Sequence, residues 1–389
     1  MYKAVRFHLG LGRVAAQRLM PRFAHSLGVG ALKLETLSDP PLPPVAAGGD
    51  WLALEPIYSG ICGSDIGIIT GQSSAYLAPL TSFPTVLGHE VVARRRDTGQ
   101  AVVVDPALGC RARGLPLCRA CAADADDGCE RRADGHLGPG LMLGVHAQLP
   151  GAWSTRMWAA PSQLHPVPPS VPLVRAVLAE PLAIVLTGLD RVNWERVDNA
   201  VILGAGTLGL LATWAVAHRY HVSTAVQVRH AHQEAAARAL GATSVMHDTA
   251  EAHERVSGAP LGRPMWGAPA LYPWGPDLVI DTVGSAHTLA AALAITRPGG
   301  QILVLGSAHE PPSDLTPLWT RNLTVLGTYG YHSAGVNHFP AALSHLAAAP
   351  ELDLMITHRW PLEEYRAALA STRHHQGGAI KSIFAITPP

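Results

Sequence analysis

Gly204-Ala-Gly206-Thr-Leu-Gly209 lies between an apolar run, Val201-Ile-Leu203, and a helical run from Leu208 to His218. No other stretch restricts the fold as strongly. In such a loop the first glycine permits a tight turn, the second lets backbone approach a pyrophosphate, and the third lets helix pack on strand. The start of the helix then offers N–H groups to phosphate. A glycine-rich turn alone would be weak evidence, but a strand before and a helix after point to dinucleotide binding. Gly204, Gly206, Thr207, Leu208 and Gly209 are therefore candidate cofactor contacts. The uncharged stretch Val201 to Ala217 contains this loop, and it is slightly short for a membrane span.

The chain around this loop alternates strand and helix. Ser223 to Val228 reads as a strand and Gln233 to Leu240 as an Ala-rich helix. Asp277 to Asp281 reads as a strand, Thr288 to Ile295 as a helix and Gln301 to Leu305 as a further strand. Such alternation predicts βαβ units and a parallel sheet. Residues Ser257 to Pro276, rich in Pro and Gly and carrying two tryptophans, interrupt the rhythm as a surface insertion. The first half differs in texture. Lys3 to Phe7, Trp51 to Tyr58, Val91 to Arg95 and Ala101 to Val104 are short β-like runs bounded by turn residues, which predict an irregular, mostly β domain. The strand-like Ile380 to Ile386 closes the sequence.

If the ligand were NAD, an acid would be expected roughly 20 residues beyond the glycines, where it would bind the ribose. His221 to His232 contains no Asp or Glu and offers Arg229, His230 and His232 instead. Arg229 and His230 thus join the candidate cofactor contacts. An arginine here suits a 2′-phosphate, which favours NADP over NAD, although Arg229 also fits a solvated loop charge.

Of the 5 cysteines, four fall close together as Cys110-x7-Cys118-x2-Cys121-x7-Cys129. That clustering in a long chain reads as metal binding in a reducing compartment rather than as a disulfide framework. Four thiolates close a tetrahedral zinc site and leave no open position, so the role is structural. Cys110 is the least secure ligand, because its spacing is long. Cys62, in Gly60-Ile-Cys-Gly-Ser-Asp65, and His89, in Gly88-His-Glu90, could instead begin an open, catalytic zinc site completed by Glu90 or Glu180. A buried structural cysteine is the alternative for Cys62.

Composition removes other classes. The chain of 389 residues is 48% hydrophobic and 15% charged, with 29 basic and 29 acidic residues, so it can bury sizeable cores. A balanced charge without a basic stripe argues against a nucleic-acid partner. The first 34 residues hold no acid, which resembles a transit peptide. The strand pattern at Lys3 to Phe7 and the lack of a secretory apolar core favour a cytoplasmic protein without a membrane partner.

Glu180-Pro-Leu182 and Asp281-x-Val-Gly284 complete an ordered series with the Cys62, His89, four-cysteine and glycine-loop motifs. Together they resemble the zinc-dependent medium-chain dehydrogenases, the superfamily of alcohol, polyol, threonine and sugar dehydrogenases. The resemblance spans Lys3 to Phe384. It implies an α/β fold, a Rossmann doubly wound parallel sheet inserted in a GroES-like, mostly β catalytic domain. Residues 1–190 and 335–389 would form the catalytic domain, with a structural-zinc lobe at about 105–132, and residues 191–334 the Rossmann domain.

By the same resemblance Cys62, His89 and Glu180 are positions of the catalytic zinc, and Glu90 approaches it directly or in turn. Asp65 would orient His89. Ser64 would begin a proton relay that many members complete with a histidine, where this chain has Ile66-Gly67. The reaction implied is hydride transfer between an alcohol or carbonyl substrate and NADP (or NAD), with zinc as Lewis acid. Specificity would lie in loops such as Gln72 to Pro84 and the region after Gly327. Homodimers or homotetramers pairing through the Rossmann sheet are the implied assembly. A zinc-free quinone or enoyl reductase on the same fold would lack the cysteine and histidine ligands, and a non-catalytic nucleotide sensor is favoured only by the missing relay histidine. The expanded segment Leu11 to Gly30 and the 257–276 insertion depart from the family's usual length.

Overall fold

The computed structural model describes residues 1–10, 30–38, 42–43, 51–247, 250–262, 270–307, 314–333 and 335–388. Nearly all of the expanded N-terminal segment and the middle of the 257–276 insertion lie outside the described residues. Contacts divide the chain into two compact units, Met1–Ala183 with Gly330–Pro389, and Ile184–Tyr329. The division falls inside the helix Ala179–Leu189. Glu180, in its first turn, belongs to the first unit, whereas Gly188 lies against Leu303 and Leu305 of the second.

The second unit is a six-stranded parallel sheet. Its spatial order is Ser244–Met246, Ser223–Gln227, Asn199–Leu203, Leu278–Asp281, Gln301–Val304 and Thr324–Gly327, so in sequence the third strand comes first and the order reverses beside the first. Asn199–Leu203 and Leu278–Asp281 are central and almost wholly buried, which explains why they read as unbroken apolar runs. The strands Ser244–Met246 and Thr324–Gly327 leave no such run, because both are edge strands with partly exposed residues. The helix after the glycine loop, Thr207–Ala215, continues as a π turn, Val216–Tyr220, and ends at His221 with φ +56°. Beyond the insertion, buried Arg321 donates to the carbonyls of Thr296 and Tyr272 and fixes the insertion's end to the helix Ala286–Ile295.

The first unit is mostly β. A seven-stranded sheet runs Ile356–Pro361, Lys381–Ala385, Leu52–Gly60, Val91–Arg95, Ala101–Val104 and Leu164–Pro166, with Met157–Ala159 also pairing Leu52–Gly60. Lys381–Ala385 thus joins the N-terminal half antiparallel to Leu52–Gly60, Ile383 opposite Gly60. A separate three-stranded sheet is built on Tyr2–Phe7. Trp153, fully buried, fastens the two together. Its carbonyl accepts the N–H of Val5, its indole N–H donates to the carbonyl of Gly60 at 3.4 Å, and its ring meets Phe384 edge-on at 5.3 Å. Trp153→Ala is therefore expected to cost about 3–5 kcal/mol. The check is an urea titration, in which this unit's unfolding midpoint should fall while the second unit's is unchanged.

Candidate functional site

The glycine loop is shaped by contacts that only glycine allows. Gly204 sits at φ +98°, and a Cβ there would come within 2.7 Å of Val283 and 2.9 Å of Thr282. A Cβ on Gly209 would overlap the carbonyl oxygen of Gly204. Gly206, by contrast, has open space where a Cβ would stand. It is also the N-cap of Thr207–Ala215, with no side chain capping the helix. The opening is therefore a cradle that a side chain would fill, set before amide donors, and it fits a pyrophosphate. Opposite it, buried Asp281 accepts N–H bonds from Val283 and Gly284 and the hydroxyl of Thr288, which pins the adjoining loop.

Arg229 and His230 follow the second strand of the sheet, Ser223–Gln227. Both are exposed, and Gln233 accepts their backbone N–H groups at 3.0 and 3.2 Å. Arg229 forms no ion pair among the described residues, so its guanidinium is available to an anion.

In the first unit the four-cysteine lobe converges. The Sγ atoms of Cys110, Cys118, Cys121 and Cys129 all lie within 4.8 Å of one another. Those of Cys110 and Cys129 are 3.6 Å apart, close to the roughly 3.8 Å that a tetrahedron of Zn–S bonds requires. Each sulfur also accepts a backbone N–H: Cys110 from Cys118, Cys118 from Cys121 and Glu130, Cys121 from Cys110, and Cys129 from Arg131. Burial pushes the Cys129 thiol up to about 11 and raises Cys121 as well, whereas backbone N–H groups outweigh desolvation at Cys118 and lower it to about 6. Four thiols gathered this closely and ringed by N–H donors fit a divalent cation. Arg113, buried beside it, donates to the carbonyls of Leu108, Asp134, Gly138 and Gly140 and holds the lobe's ends.

Cys62, Ser64, Asp65, His89, Glu90 and Glu180 meet elsewhere in the same unit. Cys62 caps the helix Gly63–Thr70, and its N–H donates to Asp65 Oδ2 at 3.0 Å. Asp65 Oδ1 faces Nδ1 of His89 at 3.5 Å, and Ser64 Oγ stands 3.5 Å from Nε2. A carboxylate on Nδ1 directs Nε2 towards a ligand, the usual arrangement behind a metal-bound histidine. Burial alone would lower the His89 pKa, but Asp65 and Cys62 outweigh it and hold it well above its ordinary value. Burial pushes Glu180 up to about 7, with Glu90 adding to the rise and His89, Tyr331 and Lys381 opposing it. Among the described residues only the four cysteines bring three or more candidate ligand atoms within 4.8 Å, so this second group is looser. Its thiol, imidazole and two buried carboxylates are nonetheless a donor set that suits zinc.

Three residues of this site were not singled out from the sequence. Lys381 is fully buried, ion-pairs with Glu90 and donates to the carbonyl of Ile61 at 3.2 Å. Tyr331 donates its hydroxyl to Glu180 Oε1 at 2.7 Å. Asp127 accepts the N–H of Tyr331. A usable signal existed for Lys381 alone, since it is one of only three lysines in a chain whose basic residues are almost all arginine.

Comparison with known proteins gives consistent matches. The model for the alcohol dehydrogenase GroES-like domain matches residues 48–169, and that for zinc-binding dehydrogenases matches residues 207–348. Glucose 1-dehydrogenase 1 of Caldivirga maquilingensis is 29% identical over 370 residues, 86% of this chain and 91% of its own. D-arabitol-phosphate dehydrogenase of Enterococcus avium is 26% identical over 345 residues, 87% of this chain and 91% of its own. Among solved structures, a zinc-binding dehydrogenase from Sinorhizobium meliloti 1021 bound to NADP aligns with a TM-score of 0.73 at 24% identity, covering 99% of each chain. 2R,3R-butanediol dehydrogenase from Bacillus subtilis aligns at 0.71 and 18% identity over 100% of each. The structural matches show a shared fold.

Two substitutions separate the two kinds of site. Gly209→Ala is expected to weaken dinucleotide binding at least 10-fold by displacing the helix start, with metal content unchanged, as read by nucleotide titration calorimetry. Cys121→Ser should remove one metal equivalent per chain and lower the melting temperature, measured by elemental analysis and scanning calorimetry, while nucleotide affinity stays the same.

Proposed function

The chain belongs to the zinc-dependent medium-chain dehydrogenase superfamily, and we propose that it oxidises a secondary hydroxyl of a polyol or sugar-like substrate with NADP as preferred acceptor. Its cofactors are zinc and a nicotinamide dinucleotide, and its fold is a Rossmann sheet inserted in a GroES-like domain. It is an oxidoreductase of alcohols. The observation that carries the proposal is the meeting of Cys62, His89 and Glu180 in one place, with Asp65 behind the His89 ring.

Cys62, His89 and Glu180 would hold the catalytic zinc, and the four cysteines the structural one. When bound, zinc supplies Lewis acidity at the substrate oxygen, and nicotinamide accepts the hydride. Asp65 keeps the His89 ring turned with Nε2 outward. Lys381 balances the buried charge of Glu90, which keeps that carboxylate beside the ligands without a cost that water would otherwise have to relieve. Ser64, close to Nε2 of His89, would accept a hydrogen bond from the substrate's hydroxyl and pass its own proton on to water. The absence of an acid in residues 221–232, and an Arg229 with no ion pair among the described residues, support NADP over NAD. The relatives that act on glucose, sorbitol and D-arabitol phosphate support a polyol or sugar substrate. Free cysteines fit a reducing, cytoplasmic setting, and the exposed edge strand Thr324–Gly327 fits homodimers or homotetramers that pair through the sheet.

Nicotinamide absorbance followed over a panel of polyols, sugars and simple secondary alcohols, with NADP and NAD in parallel, tests this. Turnover preferring NADP is expected. Cys62→Ala should lower turnover by more than about 1,000-fold, because Lewis-acid polarisation contributes several kcal/mol. Arg229→Ala should raise KM for NADP roughly 10- to 100-fold and leave KM for NAD unchanged, since a hydrogen bond to a charged group contributes about 1.5–3 kcal/mol. A wild-type preference for NAD would overturn the Arg229 assignment.

A further inference from the structure

Asp127 lies within the four-cysteine lobe, between Cys121 and Cys129, yet its carboxylate serves another part of the unit. Its Oδ2 accepts the backbone N–H groups of Tyr331 and His332 at 2.5 and 3.1 Å, across sequence separations of 204 and 205 residues. The same oxygen stands 3.3 Å from Nδ1 of His332, whose Nε2 faces Asp105 Oδ2 at 3.9 Å. The chain must pass very close here. Gly330 has φ +83°, and a Cβ on it would overlap the Asp127 carboxylate. From this anchored backbone the Tyr331 phenol reaches Glu180 Oε1 at 2.7 Å. Its ring is held on the other side by Phe339, with centroids 5.1 Å apart, and Phe339 in turn stacks on His165 at 4.8 Å.

We infer that Asp127 is a positioning residue: seated in the cysteine lobe, it fixes the Tyr331–His332 backbone so that the Tyr331 hydroxyl holds Glu180 facing the catalytic metal. The inference rests on the proposed role of Glu180 as a zinc ligand and adds what orients it. A buried carboxylate with one oxygen tied down by a neutral donor has one rotamer available instead of several, and groups behind a metal ligand typically change metal affinity about 10- to 100-fold. The lobe's metal then does more than stabilise the lobe. By ordering the segment from Cys118 to Cys129, it holds the far end of the chain of contacts that ends on Glu180.

The test uses the full-length protein loaded with cobalt, whose absorption separates a four-thiolate site from a mixed cysteine, histidine and carboxylate site. Two quantities are read: the rate at which a chelator removes cobalt from the mixed site, and hydrogen exchange at the Tyr331 and His332 amides. Asp127→Ala should speed exchange at both amides and speed cobalt loss from the mixed site about 10- to 100-fold. Asp127→Asn keeps one acceptor oxygen but not the charge, so it should fall between wild type and Asp127→Ala. Should Asp127→Ala fail to fold, Asp127→Asn carries the same comparison. Tyr331→Phe should speed cobalt loss with the four-thiolate spectrum intact. The Asp127→Ala/Tyr331→Phe double variant should lose cobalt no faster than the faster single variant, because the two act along one path. If Glu180→Ala leaves cobalt release unchanged, the ligand role of Glu180 falls and the inference with it. If Glu180→Ala speeds release and the Asp127 variants do not, or if the double variant multiplies the single effects, the inference alone falls.

Discussion

The buried ionisable side chains near Cys62 each lie against a partner, and the geometry there follows from that constraint. His89 faces Asp65, Glu90 faces Lys381, and Glu180 faces Tyr331. An unpaired charge in such a place would cost several kcal/mol, so each partner fixes its neighbour's position as well as its charge. The partners also come from distant parts of the chain: a helix cap at Cys62–Asp65, the segment Gly88–Glu90, the first turn of the helix at Glu180, the bend at Tyr331 and the late strand at Lys381. The surrounding β framework is what lets these segments meet. Trp153, lodged between its two sheets, shows how little space the meeting leaves.

The cysteine lobe meets the same problem by different means. Its buried members are mainly the cysteines themselves, with Leu115 packed against them, so apolar burial is a small part of what holds it. Backbone N–H groups directed at sulfur, and Arg113 directed at four carbonyls, do the organising instead. Through Asp127 the lobe reaches into the unit's main body.

Much of this was legible in the sequence because some residues carry their own structural signature. The glycine loop could be read residue by residue, since a turn, an open approach and a helix–strand contact each leave a glycine at a fixed place. Central strands such as Leu278–Asp281 showed as apolar runs, while the edge strands Ser244–Met246 and Thr324–Gly327 did not, being half in water. The cysteine spacing announced its cluster. Cys62 and His89, with Glu90 or Glu180, stood only as an open set of possible ligands until the resemblance ordered them, since one cysteine and one histidine have no periodicity to betray them. Asp127, Tyr331 and Lys381 were not picked out at all. Their roles are set by partners about 150 to 320 positions away, and no local pattern records a contact of that range.

The pairing of Lys381–Ala385 with Leu52–Gly60 also bears on the order in which the protein is made. The strand Leu52–Gly60 emerges from the ribosome early and must wait with an open edge until residue 385 has been synthesised. During that wait the continuous stretch 184–329, which needs nothing from either flank to complete its sheet, can already be folded. The charge on Glu90 waits as well, because its lysine arrives on the same late strand. Nascent chains of this protein therefore pass through a stage in which the 184–329 sheet can be complete while the sheet of the other unit is not. Until the late strand arrives, chaperones and proteases meet an exposed strand edge.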